Sequence, residues 1–242
     1  DRLVKTISLV PTIGLFYFAL TPLITFVIIL TEVVKEKEMR LRQGLVVVGL
    51  SHSSFWISWA ITGAILSAVT SLSLIFTGYA CQYEAFLQTN FFICFMEYFT
   101  FSFSMIIYAF FLSTFIKTTK VAYTISYAFV LLAVLLNLIL SNSLLLYFIF
   151  FNVKGEWYSV LMRDIFYTYP PFTFSILFGI INRKASAHYD DSTMSFVPGS
   201  FFGWSDLTQP EVGEFSSGDY FASPTPLHCF GMLILIMVAY SF

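Results

Sequence analysis

Charged residues are scarce in this sequence, and the patterns that mark nucleotide sites are missing. Lys, Arg, Asp and Glu make up 11% of its 242 residues, whereas soluble domains average about 25%. The net charge of -2 provides no basic field, so we expect no nucleic-acid partner. No Gly-Lys dipeptide and no Gly-Gly-Gln run occur. The chain therefore has no P-loop and cannot by itself hydrolyse ATP.

Cysteine and histidine are also rare, and their spacing excludes the common metal sites. No His-x-x-x-His or Glu-x-x-His pattern occurs, so the sequence does not favour a membrane metalloenzyme. The three histidines are His52, His188 and His228. The three cysteines are Cys81, Cys94 and Cys229. Cys81 and Cys229 could lie on one side of a membrane and pair, but unpaired thiols packed as small hydrophobic groups are favoured.

Long apolar runs dominate the chain. The hydrophobic fraction is 58% and the mean hydropathy is +0.82. A membrane-spanning helix needs about 20 apolar residues. Four runs meet this length and a fifth begins near the end of the sequence: residues 11–30, 55–78, 91–116, 121–140 and 226–242. We therefore predict an all-α polytopic membrane protein, and we read the sequence, which begins without Met, as an excerpt of a longer one.

Basic residues indicate how the spans are oriented. They concentrate in the segment after the first predicted span and in the "KTTK" turn between the third and fourth. These residues are Lys35, Lys37, Arg40, Arg42, Lys117 and Lys120. Short loops rich in Lys and Arg remain in the cytoplasm. Both segments are therefore predicted to be cytoplasmic, and residues 141–225 exoplasmic.

Two apolar segments between residues 141 and 184 are each only about half as long as a span. They are "LLLYFIFFNV" and "YPPFTFSILFGIIN". Two short helices that enter and leave the membrane on the exoplasmic side fit this pattern, because irregular backbone is tolerated at depth when protein buries it. The alternative is a full crossing that would bring Arg183 and Lys184 to the cytoplasm. The Ser-, Gly- and Pro-rich stretch after Lys184 indicates an exoplasmic loop with turns.

The segment at residues 31–50 has the pattern of a two-faced helix. Val34, Leu41, Leu45 and Val48 recur on one face, and charged residues occupy the other. Favourable i,i+4 pairs are predicted between Glu36 and Arg40 and between Glu38 and Arg42. Gly49 is placed to end this helix, and Ser51 or Ser53 to cap the next one. The segment is either a docking helix for a cytoplasmic partner, which we favour, or a charged loop that only orients the protein.

Polar residues also occur inside the predicted spans. Glu97, Thr100, Ser104 and Tyr108 follow helical spacings of 3, 4 and 4 in the third span, and Asn137 lies at a similar depth in the fourth. An acid in hydrocarbon costs several kcal/mol unless it is paired or hydrated. The five residues are candidates for lining a substrate path. The alternative, which we favour, is that they join helices, with Glu97 neutral or bonded to Asn137.

Several motifs resemble, in family order, the ABCA subfamily of ABC transporters. "VVKEKEMRLRQGLVVVGLSHSSFWISWAI" is similar to the family's Glu-Lys-Glu, basic turn, Met-Gly-Leu and Trp-containing span, with Val48 where Met is usual. "YAFFLSTFIKTTKVAYTISYAFVLL" resembles the turn between its fourth and fifth helices. "YPPFTFSILFGIINRKA" and "FFGWSDLTQP" resemble its exoplasmic helices and the segment before helix six.

The resemblance implies a type V, ABC-2-like transmembrane domain covering helices two to six of one half. It implies exoplasmic re-entrant helices and a cytoplasmic coupling helix at residues 31–50, with Glu36, Glu38, Arg40 and Arg42 as its charged residues. The whole protein would move lipids or sterols using ATP and Mg²⁺, with no cofactor in this chain. Its partners would be membrane lipids, a nucleotide-binding domain and a second transmembrane half, both in the same polypeptide. The expected location is the plasma membrane or an intracellular vesicle membrane of a eukaryote. A channel or membrane scaffold without ATP coupling is the alternative.

Overall fold

A computed structural model of the chain shows a bundle of apolar helices. The structure describes residues 9–41, 44, 47, 49, 51–140, 150, 157–186, 188–190, 195–197, 199–210, 212–214 and 220–241. Numbered in chain order over these residues, the helices are α1 (Leu9–Glu38), α2 (His52–Ala80), α3 (Glu84–Leu87), α4 (Phe91–Phe115), α5 (Thr119–Leu140), α6 (Trp157–Tyr167), α7 (Pro170–Ala185) and α8 (Pro226–Ser241).

Four helices of the described part are long and apolar enough to cross a membrane. Their qualifying stretches are Phe18–Glu38, Ser53–Ala80, Phe91–Phe115 and Thr119–Asn137. These are the four predicted spans, and they confirm an integral, multi-pass membrane protein. The helix expected at residues 226–242 is α8, whose 16 residues are fewer than a span needs.

The charged segment at residues 31–50 does not form the single separate helix that its pattern predicted. Helix α1 continues through Thr31 to Glu38, and a turn follows at Met39 and Arg40, where Arg40 has a φ of 56°. Of the predicted apolar face, Val34 is buried as part of α1, whereas Leu41 beyond the turn is exposed, and Leu45 and Val48 lie outside the described residues. Nothing in the sequence before Arg40 favours ending a helix, because Glu, Lys and Met are good helix formers.

Beyond this turn, two local predictions are correct: the turn at Gly49 and the cap of the next helix at Ser51. Leu41, Gly44 and Val47 are helical, whereas Arg42, Gln43, Leu45, Val46, Val48 and Leu50 lie outside the described residues. Gly49 has a φ of 105°, a conformation that glycine adopts without strain. Ser51 caps α2, because its hydroxyl accepts a hydrogen bond from the Ser54 N–H at 3.1 Å.

Helix α7 occupies the interior of the bundle, where it contacts α1, α4, α5 and α8. Most of its 16 residues are buried, and the Phe174 ring stacks on Phe101 of α4 with 4.1 Å between centroids. It follows α6 after a short turn. At that turn, the Tyr169 hydroxyl donates to the Phe129 carbonyl, halfway along α5, at 2.8 Å.

The end of α7 meets the segment that precedes α4. The Ser200 N–H donates to the Lys184 carbonyl at 2.9 Å, and the Asn90 N–H donates to the Phe202 carbonyl at 3.1 Å. Lys184 also forms an ion pair with Asp206 at 2.5 Å. Lys184 therefore lies at the end of the bundle opposite the α4–α5 turn.

The loop predicted after Lys184 contains short strands as well as turns. The first antiparallel hairpin pairs β1 (His188–Asp190) with β2 (Ser195–Val197). The second pairs β3 (Val212–Glu214) with β4 (Tyr220–Ala222). A short 3₁₀ helix (Trp204–Thr208) lies between them in the chain. All three cysteines are free thiols, as favoured above, with Cys81 exposed and the other two buried.

Candidate functional site

The last residues of α1 contact the turn between α4 and α5. The Lys37 ammonium donates to the carbonyls of Ser113, Thr114 and Ile116 at 2.8, 2.9 and 2.9 Å. These carbonyls belong to the last turn of α4, where backbone oxygens have no partner within the helix and the dipole is negative. Lys37 therefore supplies both hydrogen bonds and opposite charge to the end of α4.

Glu38, the next residue, supplies a hydrogen-bond acceptor and a negative charge to the start of α5. Glu38 Oε2 accepts a hydrogen bond from the Thr119 N–H at 2.7 Å, and the Thr119 hydroxyl also donates to it. The first N–H groups of a helix lack intrahelical partners, and its N-terminus carries a partial positive charge. We call Lys37 and Glu38, together with the helix ends they bind, the turn clamp.

Glu36 connects the same end of α1 to α2. Its Oε2 accepts a hydrogen bond from the Trp59 indole N–H at 3.2 Å. A cavity of about 190 Å³ lies between α1, α2 and α4 beside this contact. It is lined by Val33, Lys37, Phe55, Trp56, Ser113 and Thr114. Three successive residues, Glu36 to Glu38, thus join α1 to α2, α4 and α5.

The predicted helix-stabilising pairs do not account for these charges. Over the described part of the chain, Glu36 and Arg40 form no ion pair, so that prediction is wrong. The reason is that α1 ends at Glu38 and the left-handed backbone of Arg40 removes it from the i,i+4 position. The proposed pair of Glu38 with Arg42 involves a residue outside the described ones. Past the clamp, Met39, Arg40 and Leu41 are exposed.

The polar stripe of α4 lies between helices. Glu97, Thr100 and Ser104 are buried, and the hydroxyls of the latter two donate to carbonyls of their own helix. Tyr108 is half-buried, and its ring packs against three aromatic rings from α1, α5 and α8. These are Phe26, Phe129 and Tyr240. The stripe therefore meets several helices at once.

Asn137 does not bond to Glu97, contrary to one alternative considered above. Its Nδ2 donates to the Ala133 carbonyl at 2.9 Å, and its Oδ1 accepts from the Ser175 hydroxyl at 2.6 Å. Asn137 thus joins α5 to α7. Glu97 Oε1 is buried and has no hydrogen-bond partner within the described ranges. Asn137 thus bonds to Ala133 and Ser175, and not to Glu97.

The sequence matches the model of the family described as ABC-2 family transporter protein over residues 5–242. It is 35% identical over 227 residues to "ABC transporter A family member 8" of Dictyostelium discoideum, an alignment that covers 93% of this chain and 26% of that protein. It is 33% identical over 162 residues to "ABC transporter A family member 9" of Arabidopsis thaliana, covering 67% of this chain and 16% of that protein. The chain thus spans about a quarter or less of the length of these relatives.

Proposed function

The chain belongs to the ABC-2 transporter family, and we propose that it is the membrane-spanning part of an ATP-driven transporter of lipids or sterols. The single observation that carries the proposal is the charged end of α1, which contacts three other helices and then continues into exposed residues. Such an arrangement suits a segment that receives motion from a partner and passes it to the spans. The lipid or sterol class rests on the resemblance to the A subfamily.

In this proposal, the segment at residues 31–50 is the coupling region and its exposed part contacts a nucleotide-binding domain. Met39, Arg40 and Leu41 extend beyond the turn clamp and are available to that partner. Among the described side chains, no group of three or more His, Cys, Asp or Glu could hold a metal ion. In the proposal, the nucleotide-binding domain would bind ATP and Mg²⁺ and would lie in the same polypeptide as a second transmembrane half.

The proposal assigns the charged end to the cytoplasm and the apolar segments at residues 144–153 and 169–182 to a re-entrant pair of helices. The second segment lies in α7 and the residue before it, whereas the first lies, apart from Phe150, outside the described residues. The concentration of Lys and Arg at the α1 end and the α4–α5 turn supports this orientation. The position of Lys184 at the other end of the bundle, bonded to Asp206, supports the re-entrant pair, because a full crossing would bring Lys184 to the charged end.

Cysteine labelling tests this topology on exposed residues. In a Cys81→Ser background of the full-length protein, Thr208→Cys should react with an impermeant thiol reagent in intact cells. Thr118→Cys should react only after permeabilisation. Labelling of both variants from outside, or of Thr208→Cys only after permeabilisation, would overturn the orientation.

The coupling role is tested by reversing a charge that makes no ion pair among the described residues. In reconstituted full-length protein, Arg40→Glu should leave basal ATP hydrolysis intact but remove its stimulation by substrate and reduce transport. Lys35→Glu is the control, because Lys35 lies on α1 before the clamp and, among the described residues, forms an ion pair only with Glu32, at 3.5 Å. Normal transport by Arg40→Glu would show that this charge serves orientation alone.

A further inference from the structure

We propose that Lys37 and Glu38 are positioning residues that hold the coupling region and the α4–α5 hairpin together, so that the two move as one unit during transport. This inference rests on the proposed function and deepens it. The motion reaches α1 and α2 because these helices are continuous with the coupling region in the chain. It also reaches α4 and α5, through the turn clamp.

The charges of the clamp match the two helix ends in order and in sign. A cation lies on the carbonyl end of α4 and an anion on the N–H end of α5, on either side of one short turn. A segment that only oriented the protein would need Lys and Arg, since acidic residues contribute little to topology. Glu38 therefore has a task that orientation does not explain.

The clamp joins parts of the chain that are far apart in sequence. Lys37 and Ser113 are separated by 76 residues, and Glu38 and Thr119 by 81. These bonds therefore join the end of α1 directly to the two helix ends at the α4–α5 turn. The turn clamp attaches the end of α1 to the α4–α5 turn at the charged end of the bundle, where displacement of the coupling region would be largest.

Helix α5 then connects the clamp to the interior of the bundle. Its first residue, Thr119, is held by Glu38. Ten residues along, or about 15 Å at 1.5 Å per residue, its Phe129 carbonyl accepts from Tyr169. Eighteen residues along, or about 27 Å, Asn137 bonds to Ser175 of α7. One rigid helix thus carries the clamp at one end and two contacts to the α6–α7 hairpin further along.

Neutral variants test the clamp against matched controls on the same helix. Lys37→Met and Glu38→Met in reconstituted full-length protein should lower substrate-stimulated ATP hydrolysis and transport by about fivefold or more, the lower end of measured couplings between sites. Basal hydrolysis should persist. Lys35→Met and Glu32→Met, which within the described part of the chain remove only the 3.5 Å pair on the surface of α1, should transport normally. Lys37→Arg, which keeps charge and donors, should restore most of the activity.

A covalent replacement separates positioning from folding. Glu38→Cys with Thr119→Cys, in the Cys81→Ser background, should couple poorly while the thiols are free. Joining the two thiols with a bifunctional reagent should restore substrate stimulation, whereas the same reagent on either single-cysteine variant should not. Transport that is normal with free thiols, or that is lost on joining them, would overturn the proposal.

The outcomes also distinguish this inference from the proposed function. If the unaltered protein shows no ATP-dependent transport, the proposed function fails before the clamp is tested. If the unaltered protein transports and the clamp variants show normal transport per folded molecule, even at reduced yield, only the clamp inference fails. A reduced yield with normal specific activity would assign the clamp to stability.

Discussion

The Asn137 side chain on α5 accepts a hydrogen bond from the Ser175 hydroxyl on α7, with 2.6 Å between the two oxygens. Both residues are buried. In an apolar bundle, a polar bond between helices fixes their rotation and depth relative to each other, because the alternative leaves a polar group in hydrocarbon. This bond and the Tyr169–Phe129 bond attach α7 to α5 at two levels.

Removing the Asn137 amide should therefore destabilise the bundle. We expect Asn137→Leu to lower the free energy of unfolding by about 1 kcal/mol, the usual range for such bonds in membranes, measured by thermal unfolding of the full-length protein in detergent. Ser175→Ala should produce part of the same loss, and the two losses should not add. Ser73→Ala is the control, since the exposed Ser73 donates only within its own helix. Additive losses in the double variant would contradict a shared bond.

Glu97 should tolerate a neutral replacement of equal size. Its Oε1 has no hydrogen-bond partner in the described part of the chain, so Glu97→Gln removes no contact of that oxygen and avoids burying a charge. We expect yield and thermal stability of the full-length protein to be unchanged or higher. If Glu97 lines the substrate path, transport should change in this stable variant. Unchanged transport would remove Glu97 from the path, and a marked loss of yield would indicate that it joins helices.

The ion pair at the opposite end of the bundle predicts a pH dependence. Burial alone would raise the pKa of Asp206, but hydrogen bonds from Lys184 and the Gly203 N–H, with the Lys184 charge, hold this pKa below its ordinary value. A carboxyl whose pKa is lower in the folded protein stabilises it above the unfolded pKa and loses that contribution as pH falls through the folded value. Wild type should therefore exceed Asp206→Asn in thermal stability at neutral pH. The difference should begin to shrink as pH falls below about 4, the ordinary pKa of Asp, and should vanish once the pH is below the lower folded pKa of Asp206. A difference that persists in acid would contradict the ion pair.

The sequence predicts the spans well, because a run of about 20 apolar residues is long enough to cross the hydrocarbon core as a helix. It also predicts the turn at Gly49 and the helix cap at Ser51, since both features depend on neighbouring residues alone. It does not predict where α1 ends. Glu, Lys and Met continue a helix as readily as they begin one, and no Gly or Pro occurs between Thr31 and Gln43.

The contacts of the charged residues could not be predicted for a different reason. Lys37 and Glu38 have partners 76 to 81 residues away, and nothing local indicates which charge faces which helix end. Likewise, Glu97 and Asn137 have similar depths, but helices that are apolar all round do not encode their rotation. Asn137 thus bonds to Ser175 instead, a pairing that only the packing of α7 determines.

The most direct test of the central claim is ATP-dependent substrate movement by the full-length protein in proteoliposomes. A fluorescent phospholipid and a labelled sterol should each be offered, with ATP and Mg²⁺ or with a non-hydrolysable analogue. We expect at least one of the two to move only when ATP is hydrolysed, and we expect Lys37→Met to slow this movement while basal hydrolysis continues. ATP-independent ion conduction, with no ATP-driven movement of either lipid, would contradict the central claim.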